Sequence, residues 1–224
     1  IWAICEETAW QLPAHNTYIR DTPSLEWPDP ERPIVDLFAA ETGGLLACAC
    51  NVLGKRLPGE AHRRVSREIE RRILTPYLHE HFWWMGNGEE PMCNWTTWCT
   101  QNVLLCALML PQTDEVRRAV IRRAAGSLDC FLKDYGEDGC CNEGAHYYSH
   151  AGLCLFGCLE LLCAAAHGAF DALWKEPKIR AIAAYIFRMH ISGPYYVNFA
   201  DCSPVIGRRG AREFCFARRT DNLP

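Results

Sequence analysis

The fold of this chain is decided by apolar stretches such as AGLCLFGCLELLCAAA, residues 151–166, in which Glu160 is the single charged side chain. A helix that is apolar nearly all round has to be covered by protein on most of its sides. Residues 34–53 and 99–110 have the same character and contain few charges. The sequence therefore predicts three inner helices that belong to a large hydrophobic core.

Amphipathic helices are predicted between these apolar stretches. Residues 60–75 carry an apolar stripe, and the opposite face carries two i,i+4 pairs of opposite charge, Glu60/Arg64 and Glu68/Arg72. This pattern is typical of an outward-facing helix. Two further stretches repeat the design, namely residues 113–133 with Thr113 as the N-cap, and residues 177–190 with Pro177 in the first turn.

Inner and outer helices alternate three times along the chain. A ring of helical hairpins requires this order, because each pair then buries its apolar face against its neighbours. Three pairs make an incomplete ring. An irregular helical bundle is the alternative.

Charge and hydropathy exclude some classes of partner. The net charge is −4 and the basic side chains are spread along the helices, so nucleic acid is not expected as a partner. The longest uncharged stretches, around residues 43–53 and 151–159, fall short of the roughly 20 apolar residues that cross a bilayer. No membrane span is expected.

The fourteen cysteines are interpreted as small apolar side chains. Six lie among Ala and Leu on predicted buried helix faces: Cys48, Cys50, Cys106, Cys154, Cys158 and Cys163. No C-x-x-C motif occurs, and the adjacent pair Cys140-Cys141 suits neither a zinc site nor an ordinary disulfide, so no metal is expected. We expect a reducing, cytoplasmic compartment, or the periplasm if a secretory leader preceded Ile1, since both ends look like cuts through a longer protein.

Four polar and aromatic segments follow an outer helix or precede an inner one: residues 10–31, 82–98, 134–150 and 192–204. In a ring of hairpins these segments gather on one rim. Helix N-termini at that rim present unpaired N–H groups and partial positive charge, which favour a bound carboxylate. The order of the elements thus predicts a funnel that is lined by aromatic rings and amides and binds an anion.

Motifs within these segments resemble one known family. The loop DGCCNEGAHYYSHAG, residues 138–152, is similar to the Asp-Gly-x-x-x-Glu-Gly-x-x-Tyr stretch of the heparinase II/III-like polysaccharide lyases. The Asn94-Trp95-x-x-Trp98 motif resembles their Asn-Trp stretch, and residues 198–201 and 10–16 resemble two further segments in the same order. Within the family the sequence looks most like the branch of oligoalginate lyases and exolytic heparin lyases.

This resemblance implies an all-α fold, an incomplete (α/α) toroid whose C-terminal β-sheet domain lies outside the given sequence. Residues 1–192 would form the helical hairpins, and residues 193–224 the rim loop and the start of a truncated part of the toroid. It also implies an enzyme that cleaves acidic oligo- or polysaccharides containing uronic acid by β-elimination, without a cofactor. Alginate and heparin-like chains are both candidate substrates, and no oligomeric state is predicted.

The same resemblance implies roles for individual residues. Tyr147 matches the tyrosine that transfers a proton, and Asn94 matches a residue that holds the uronate carboxylate. Some relatives have a histidine where this chain has Cys93, so the base is left open among Tyr147, His146, His150, His15 and a residue of the missing domain. The remaining predicted substrate-binding residues are His15, Asn16, Trp95, Trp98, Asn102, Glu143, Asn198 and Asp201.

Alternative interpretations accompany these assignments. Tyr148 is expected to pack rather than react, and Asp138 and Glu143 are expected to fix their loop through backbone N–H groups. A hydrolase of unsaturated uronides would instead use carboxylates, for which Asp138, Glu143 and Asp201 are available. A third possibility is a relative that binds saccharide and has lost catalysis, which Cys93 makes worth testing.

Overall fold

The computed structural model describes residues 1–17, 25–207 and 209–222, and these residues are mostly helical. The all-α prediction is therefore confirmed at the level of fold class. The chain divides into two compact units, residues 1–130 and 131–224. Tyr18 and the rest of residues 18–24, which belong to the predicted rim segment 10–31, lie outside the described residues.

In the described residues of the first unit the α-helices are α1 Trp2–Glu6, α2 Leu37–Leu53, α3 Gly59–Ile69, α4 Thr75–His79, α5 Asn94–Met109 and the start of α6 Asp114–Asp134. A π-helical stretch, Glu70–Leu74, joins α3 to α4. Short 3-10 turns occur at Pro13–His15, Gly54–Arg56 and Trp83–Met85. α6 begins in this unit and ends in the second.

The second unit is built around two longer helices and a small hairpin. Its elements are the 3-10 turn Tyr147–Ser149, α7 Gly152–Ala165, the 3-10 turn Asp171–Lys175, α8 Pro177–Arg188, the antiparallel strands β1 His190–Ser192 and β2 Tyr195–Tyr196, and α9 Ala211–Arg219. Its core includes Phe156 of α7, which stacks on Phe216 of α9 with ring centroids 4.8 Å apart. The sequence interpretation did not include the hairpin or α9.

Close packing of α2 on α5 forms the core of the first unit. Gly43 and Gly44 permit this approach, because a Cβ at Gly44 would overlap the side-chain amide of Asn102. Both helices are apolar nearly all round, and their buried side chains include Leu46, Leu104 and Cys106. The prediction of an apolar inner helix is confirmed for α5. It is wrong for part of α2, which buries one face against α5 and leaves Phe38, Leu45 and Val52 exposed.

The helix ends largely follow the predicted signals. Thr113 caps α6, since its hydroxyl accepts a hydrogen bond from the N–H of Val116 at 3.3 Å. Pro177 is the first residue of α8, as expected. α5, however, begins at Asn94 rather than at residue 99, because its first turn is polar and an apolar pattern detects only the later turns.

The prediction that the helix over residues 60–75 turns a charged face outward is wrong for Glu68 of α3 and for Arg72 of the π-helical stretch. Both are buried, and the Nε of Arg72 donates to Glu68 at 2.7 Å. The guanidinium also donates to the carbonyl of Glu7 at 2.7 Å and lies over the ring of Trp10. The N-terminal segment covers this face of α3, and an i,i+4 pattern does not reveal such a distant segment.

Two helical stretches, Leu37–Arg56 and Tyr147–Ala165, are long and apolar enough to cross a membrane by length and composition alone. Buried core helices of soluble proteins pass the same test. The absence of a membrane span therefore stays a prediction. All fourteen cysteines are free thiols, and of the six assigned to buried helix faces five are buried and Cys48 is half-buried.

Candidate functional site

A cavity of about 260 Å³ in the first unit collects residues from two of the predicted rim segments. Its aromatic side is formed by Trp83 and Trp95, whose ring centroids lie 5.1 Å apart. The imidazole of His15 meets Trp95 edge-on at 4.7 Å. The complete lining is Ala14, His15, Thr17, Ile34, Val35, Asp36, Phe82, Trp83, Trp84 and Trp95.

His15 is held by a buried carboxylate at the floor of this cavity. Its Nδ1 lies 2.8 Å from Oδ2 of Asp36, which is only 1% exposed. Oδ1 of Asp36 accepts the N–H of Ala39 and caps α2, while Oδ2 also accepts the N–H of Leu12. One carboxylate thus fixes the start of an inner helix and the turn that carries the histidine.

The tryptophan side of the cavity is positioned by backbone hydrogen bonds. The indole N–H of Trp84 donates to the carbonyl of Val35 at 2.7 Å, which holds the 3-10 turn of Trp83 against the segment before α2. Thr96 donates to the carbonyl of Trp84 and fixes the start of α5, where Trp95 lies. Gly86 ends the turn at a positive φ of 77°, where a side chain would be strained and would meet Cys130.

Four other predicted residues of the first unit do not line the cavity. Asn16 is fully buried and donates to the carbonyl of Leu25, and Asn102 is buried against α2 and donates to the carbonyl of Trp98. Asn94 is buried in the first turn of α5, and Trp98 is half-buried. These contacts give Asn16 and Asn102 structural roles in the free protein.

A larger groove of about 460 Å³ runs along residues 30–33 and the α3–α4 region. It is lined by three carboxylates, Glu31, Glu70 and Glu80, beside arginines and His79. Mixed charge of this kind repels an acidic ligand as much as it attracts one, and none of the predicted site residues lies there. We therefore regard the smaller aromatic cavity as the better candidate.

The second unit carries the loop with Tyr147. Tyr147 begins a 3-10 turn and is half-buried, with its ring centroid 5.8 Å from that of His146 and 6.1 Å from that of His150. The neighbouring Tyr148 is fully buried and donates its hydroxyl hydrogen to the carbonyl of Ile182 at 3.0 Å. The packing role predicted for Tyr148 is confirmed.

The electrostatics of this loop favour a neutral imidazole. Burial lowers the pKa of His150, and the charges of His146 and Arg212 lower it further, so His150 can accept a proton at neutral pH. Burial raises the pKa of Cys141 to about 11, so its thiol stays protonated and is a poor nucleophile. The histidine is therefore the better proton acceptor of the two.

Two predicted rim segments also meet within the second unit. Gly144 has a positive φ of 86° and lies so close to Cys202 and to the carbonyl of Phe199 that a Cβ would overlap them. Arg209 donates to the carbonyl of Ala145 at 2.6 Å. The loop of residues 138–152 is thus fastened by backbone packing to residues 199–202 and by a hydrogen bond to Arg209.

The predicted polar site residues of the second unit differ in their exposure to solvent. Asp138 is exposed and accepts the N–H of Cys140 at 3.0 Å, which confirms its predicted loop-fixing role. Glu143 is half-buried, while Asn198 and Asp201 are exposed. Within residues 1–17, 25–207 and 209–222, no group of three or more His, Cys, Asp or Glu side chains is placed to hold a metal ion.

Sequence reasoning missed Asp36 and did not assign Trp83 to the site. A signal for Asp36 was available, because an aspartate directly before an apolar helical run occupies a preferred N-cap position. His15, which Asp36 contacts, is 21 residues earlier in the chain, and a contact over this separation leaves no pattern in the sequence. Trp83 resembles any other residue of an aromatic cluster until the turn that orients it is known.

No protein-family model matches this chain, and no curated protein matches it either. The resemblance to polysaccharide lyases therefore stays a prediction from the motifs. We base the functional proposal on those motifs together with the geometry of the two regions.

Proposed function

We propose that this chain is part of a polysaccharide lyase that cleaves uronate-containing oligo- or polysaccharides by β-elimination, on an incomplete (α/α) toroid of the heparinase II/III-like type. The observation that carries the proposal is the cavity of the first unit. Two segments that resemble the family, one with His15 and one with Trp95, meet there at a distance of 4.7 Å between ring centroids. If both segments contribute to one saccharide site, they have to lie close together, as they do here.

The chemistry of the cavity suits a sugar ring. Tryptophan faces stack on the apolar C–H face of a pyranose, while an imidazole nitrogen can accept a hydrogen bond from a hydroxyl. The volume of about 260 Å³ lies just below the range of roughly 300 to 1,000 Å³ that is typical of sites for drug-sized ligands. A cavity of this size fits one ring of a longer chain.

The proposed reaction removes the proton at C5, next to the uronate carboxylate, and expels the oxygen at C4. Neutral hydrogen-bond donors would stabilise the charge that develops on the carboxylate. Asn94, the residue predicted for this role, is buried and does not line the cavity. Tyr147 would transfer the proton, and a positioned acid or base of this kind contributes about a hundredfold to ten-thousandfold in rate. The half-buried ring of Tyr147 lies beside His150. The lowered pKa of His150 favours its neutral imidazole, which is the form that can accept a proton.

The test is an ultraviolet assay of the complete protein with alginate, heparan, hyaluronan and chondroitin oligosaccharides. A lyase creates a C4–C5 double bond, so absorbance should rise with one of these substrates. A hydrolase of unsaturated uronides would instead consume that double bond when given a pre-cleaved substrate. Saccharide binding without any turnover would contradict the proposed lyase activity and would indicate a saccharide-binding protein.

A further inference from the structure

Among the described residues that line the cavity, Asp36 carries the acidic side chain. It is buried, and both of its oxygens accept backbone N–H groups, from Ala39 at 2.8 Å and from Leu12 at 3.0 Å. Oδ2 also faces Nδ1 of His15 at 2.8 Å. Capping α2 needs one oxygen alone, so the contact with His15 is not explained by the helix.

Burial raises the pKa of Asp36, but both of its oxygens accept backbone N–H groups, an arrangement that favours the ionised carboxylate. An ionised carboxylate accepts hydrogen bonds and cannot donate them. The nitrogen that faces Asp36 therefore has to carry the hydrogen, which places the proton of a neutral His15 ring on Nδ1. Nε2 is then left with its lone pair. In the described part of the chain no hydrogen-bond partner of Nε2 is found, and the ring that bears it lines the cavity.

We propose that Asp36 is a positioning residue that keeps the proton of His15 on Nδ1, so that Nε2 faces the cavity as a hydrogen-bond acceptor for a saccharide hydroxyl. This inference rests on the proposed function, because it takes a saccharide as the ligand of the cavity. The edge contact with Trp95 restricts rotation of the imidazole and keeps Nε2 in place. Asp36 itself acts through His15 and does not contact the ligand.

Replacement Asp36→Asn separates this role from helix capping. Asparagine caps a helix about as well as aspartate, so its oxygen can keep the hydrogen bond from Ala39. Its amide NH2 then takes the place of Oδ2 and donates to Nδ1 of His15, which moves the imidazole proton to Nε2, while the N–H of Leu12 loses its acceptor. The cavity then contains a donor where the wild-type protein has an acceptor.

The experiment reads the tautomer directly. Spectra of the protein labelled with ¹⁵N-histidine, recorded at about pH 8.5, well above the ordinary histidine pKa, should show the proton of His15 on Nδ1 in the wild type and on Nε2 in Asp36→Asn. Binding of an alginate tetrasaccharide, with a heparan tetrasaccharide as second probe, is measured by calorimetry. We expect about tenfold weaker binding for Asp36→Asn, because a hydroxyl that donates to Nε2 in the wild type has to turn and accept from Nε2–H in the variant, and in an active enzyme a higher KM at nearly unchanged kcat.

Asp36→Ser is the matched control, because serine also caps helices and is too short to reach either His15 or the N–H of Leu12, so both variants lose the hydrogen bond from Leu12. It should leave both tautomers populated and give intermediate affinity. Two tautomer results would overturn the inference: a proton on Nε2 of His15 in the wild type, or the same tautomer in the wild type and in Asp36→Asn. Two binding results would also overturn it: unchanged affinity of Asp36→Asn, or failure of both tetrasaccharides to bind the wild type. If a tetrasaccharide binds as described but no ultraviolet product forms, the lyase proposal fails and the positioning role stands.

Discussion

The two regions that carry candidate site residues are held in place by different physical means. In the first unit, buried charge orders the polar groups, as Asp36 holds His15 and Glu68 holds Arg72. In the second unit, the loop with Tyr147 is fixed by glycines that lie against backbone, such as Gly139 and Gly144, and by donors to carbonyl groups.

This difference has consequences for stability. The buried ion pair of Glu68 and Arg72 depends on protonation, so the first unit should respond to pH and to removal of a single charge. Glycine contacts depend on space, so the loop of the second unit should respond to one added methyl group and not to mild acid. Four substitutions test or sharpen this comparison.

The largest effect is expected from Tyr147→Phe, which asks whether the second unit supplies chemistry. The change removes the hydroxyl and keeps the ring contacts with His146 and His150. Turnover in the ultraviolet assay should fall by about a hundredfold to ten-thousandfold, while saccharide binding stays near normal. Tyr195→Phe, at a tyrosine that is 52% exposed, is the control and should retain activity; equal rates for both variants would exclude the assignment.

Gly139→Ala should be the most damaging change to the packing of the second unit. Gly139 has a φ of 76°, and a Cβ would overlap the backbone of Ala181 and Ile182 in α8. Positive φ and overpacking together should lower the free energy of unfolding by about 4 kcal/mol. Denaturant unfolding measures this loss. Gly168→Ala shares the positive φ but has open space around it, so its cost should stay near 1 kcal/mol, and similar losses for both would argue against the packing explanation.

Glu68→Gln tests the ionic anchoring of the first unit. It leaves the buried guanidinium of Arg72 without its counter-charge, which should lower the free energy of unfolding by about 3 kcal/mol at pH 7. Denaturant melts of both proteins provide the measurement. Glu60→Gln on the same helix removes an exposed pair with Arg63 and should have no detectable effect.

The pH dependence of Glu68→Gln gives a second readout. Burial raises the pKa of Glu68, but the hydrogen bonds and charges of Arg72 and Arg71 outweigh it, and the pKa ends below its ordinary value of 4.5. A carboxylate of this kind stabilises the fold above its unfolded pKa, and the contribution is lost as the pH falls through the folded pKa. The gap between wild type and variant should therefore narrow below about pH 4.5, and a constant gap would contradict the ionic explanation.

The smallest effect is expected from Trp95→Leu, which keeps apolar bulk but removes a stacking surface from the cavity. Saccharide affinity should fall about tenfold, a typical cost for truncating one good contact residue. Calorimetry with the tetrasaccharides measures the change. Trp27→Leu is the matched control, since Trp27 is 79% exposed and does not line the cavity; equal affinities for both variants would remove Trp95 from the site.

Local patterns predicted much of the helical framework. The apolar runs around Leu46 and Leu104 form helices that pack in the core, Thr113 caps α6 and Pro177 opens α8, because each feature depends on neighbours within one or two turns. The hairpin at residues 190–196 and α9 escaped prediction. Both are short, and short elements take most of their stability from tertiary contacts, such as that of Phe216 with Phe156.

For the candidate site residues, too, some properties could be predicted from the sequence and others depend on the tertiary structure. The sequence by itself determined that His15, Trp95 and Tyr147 are residues of interest, because their types and order carry chemical meaning. Tertiary structure decided that Asp36 contacts His15, that Glu68 and Arg72 are buried, and that Asn16 and Asn102 hold backbone carbonyls. Burial and hydrogen-bond partners depend on which distant segment covers a residue, and that information is absent from any local pattern along the chain.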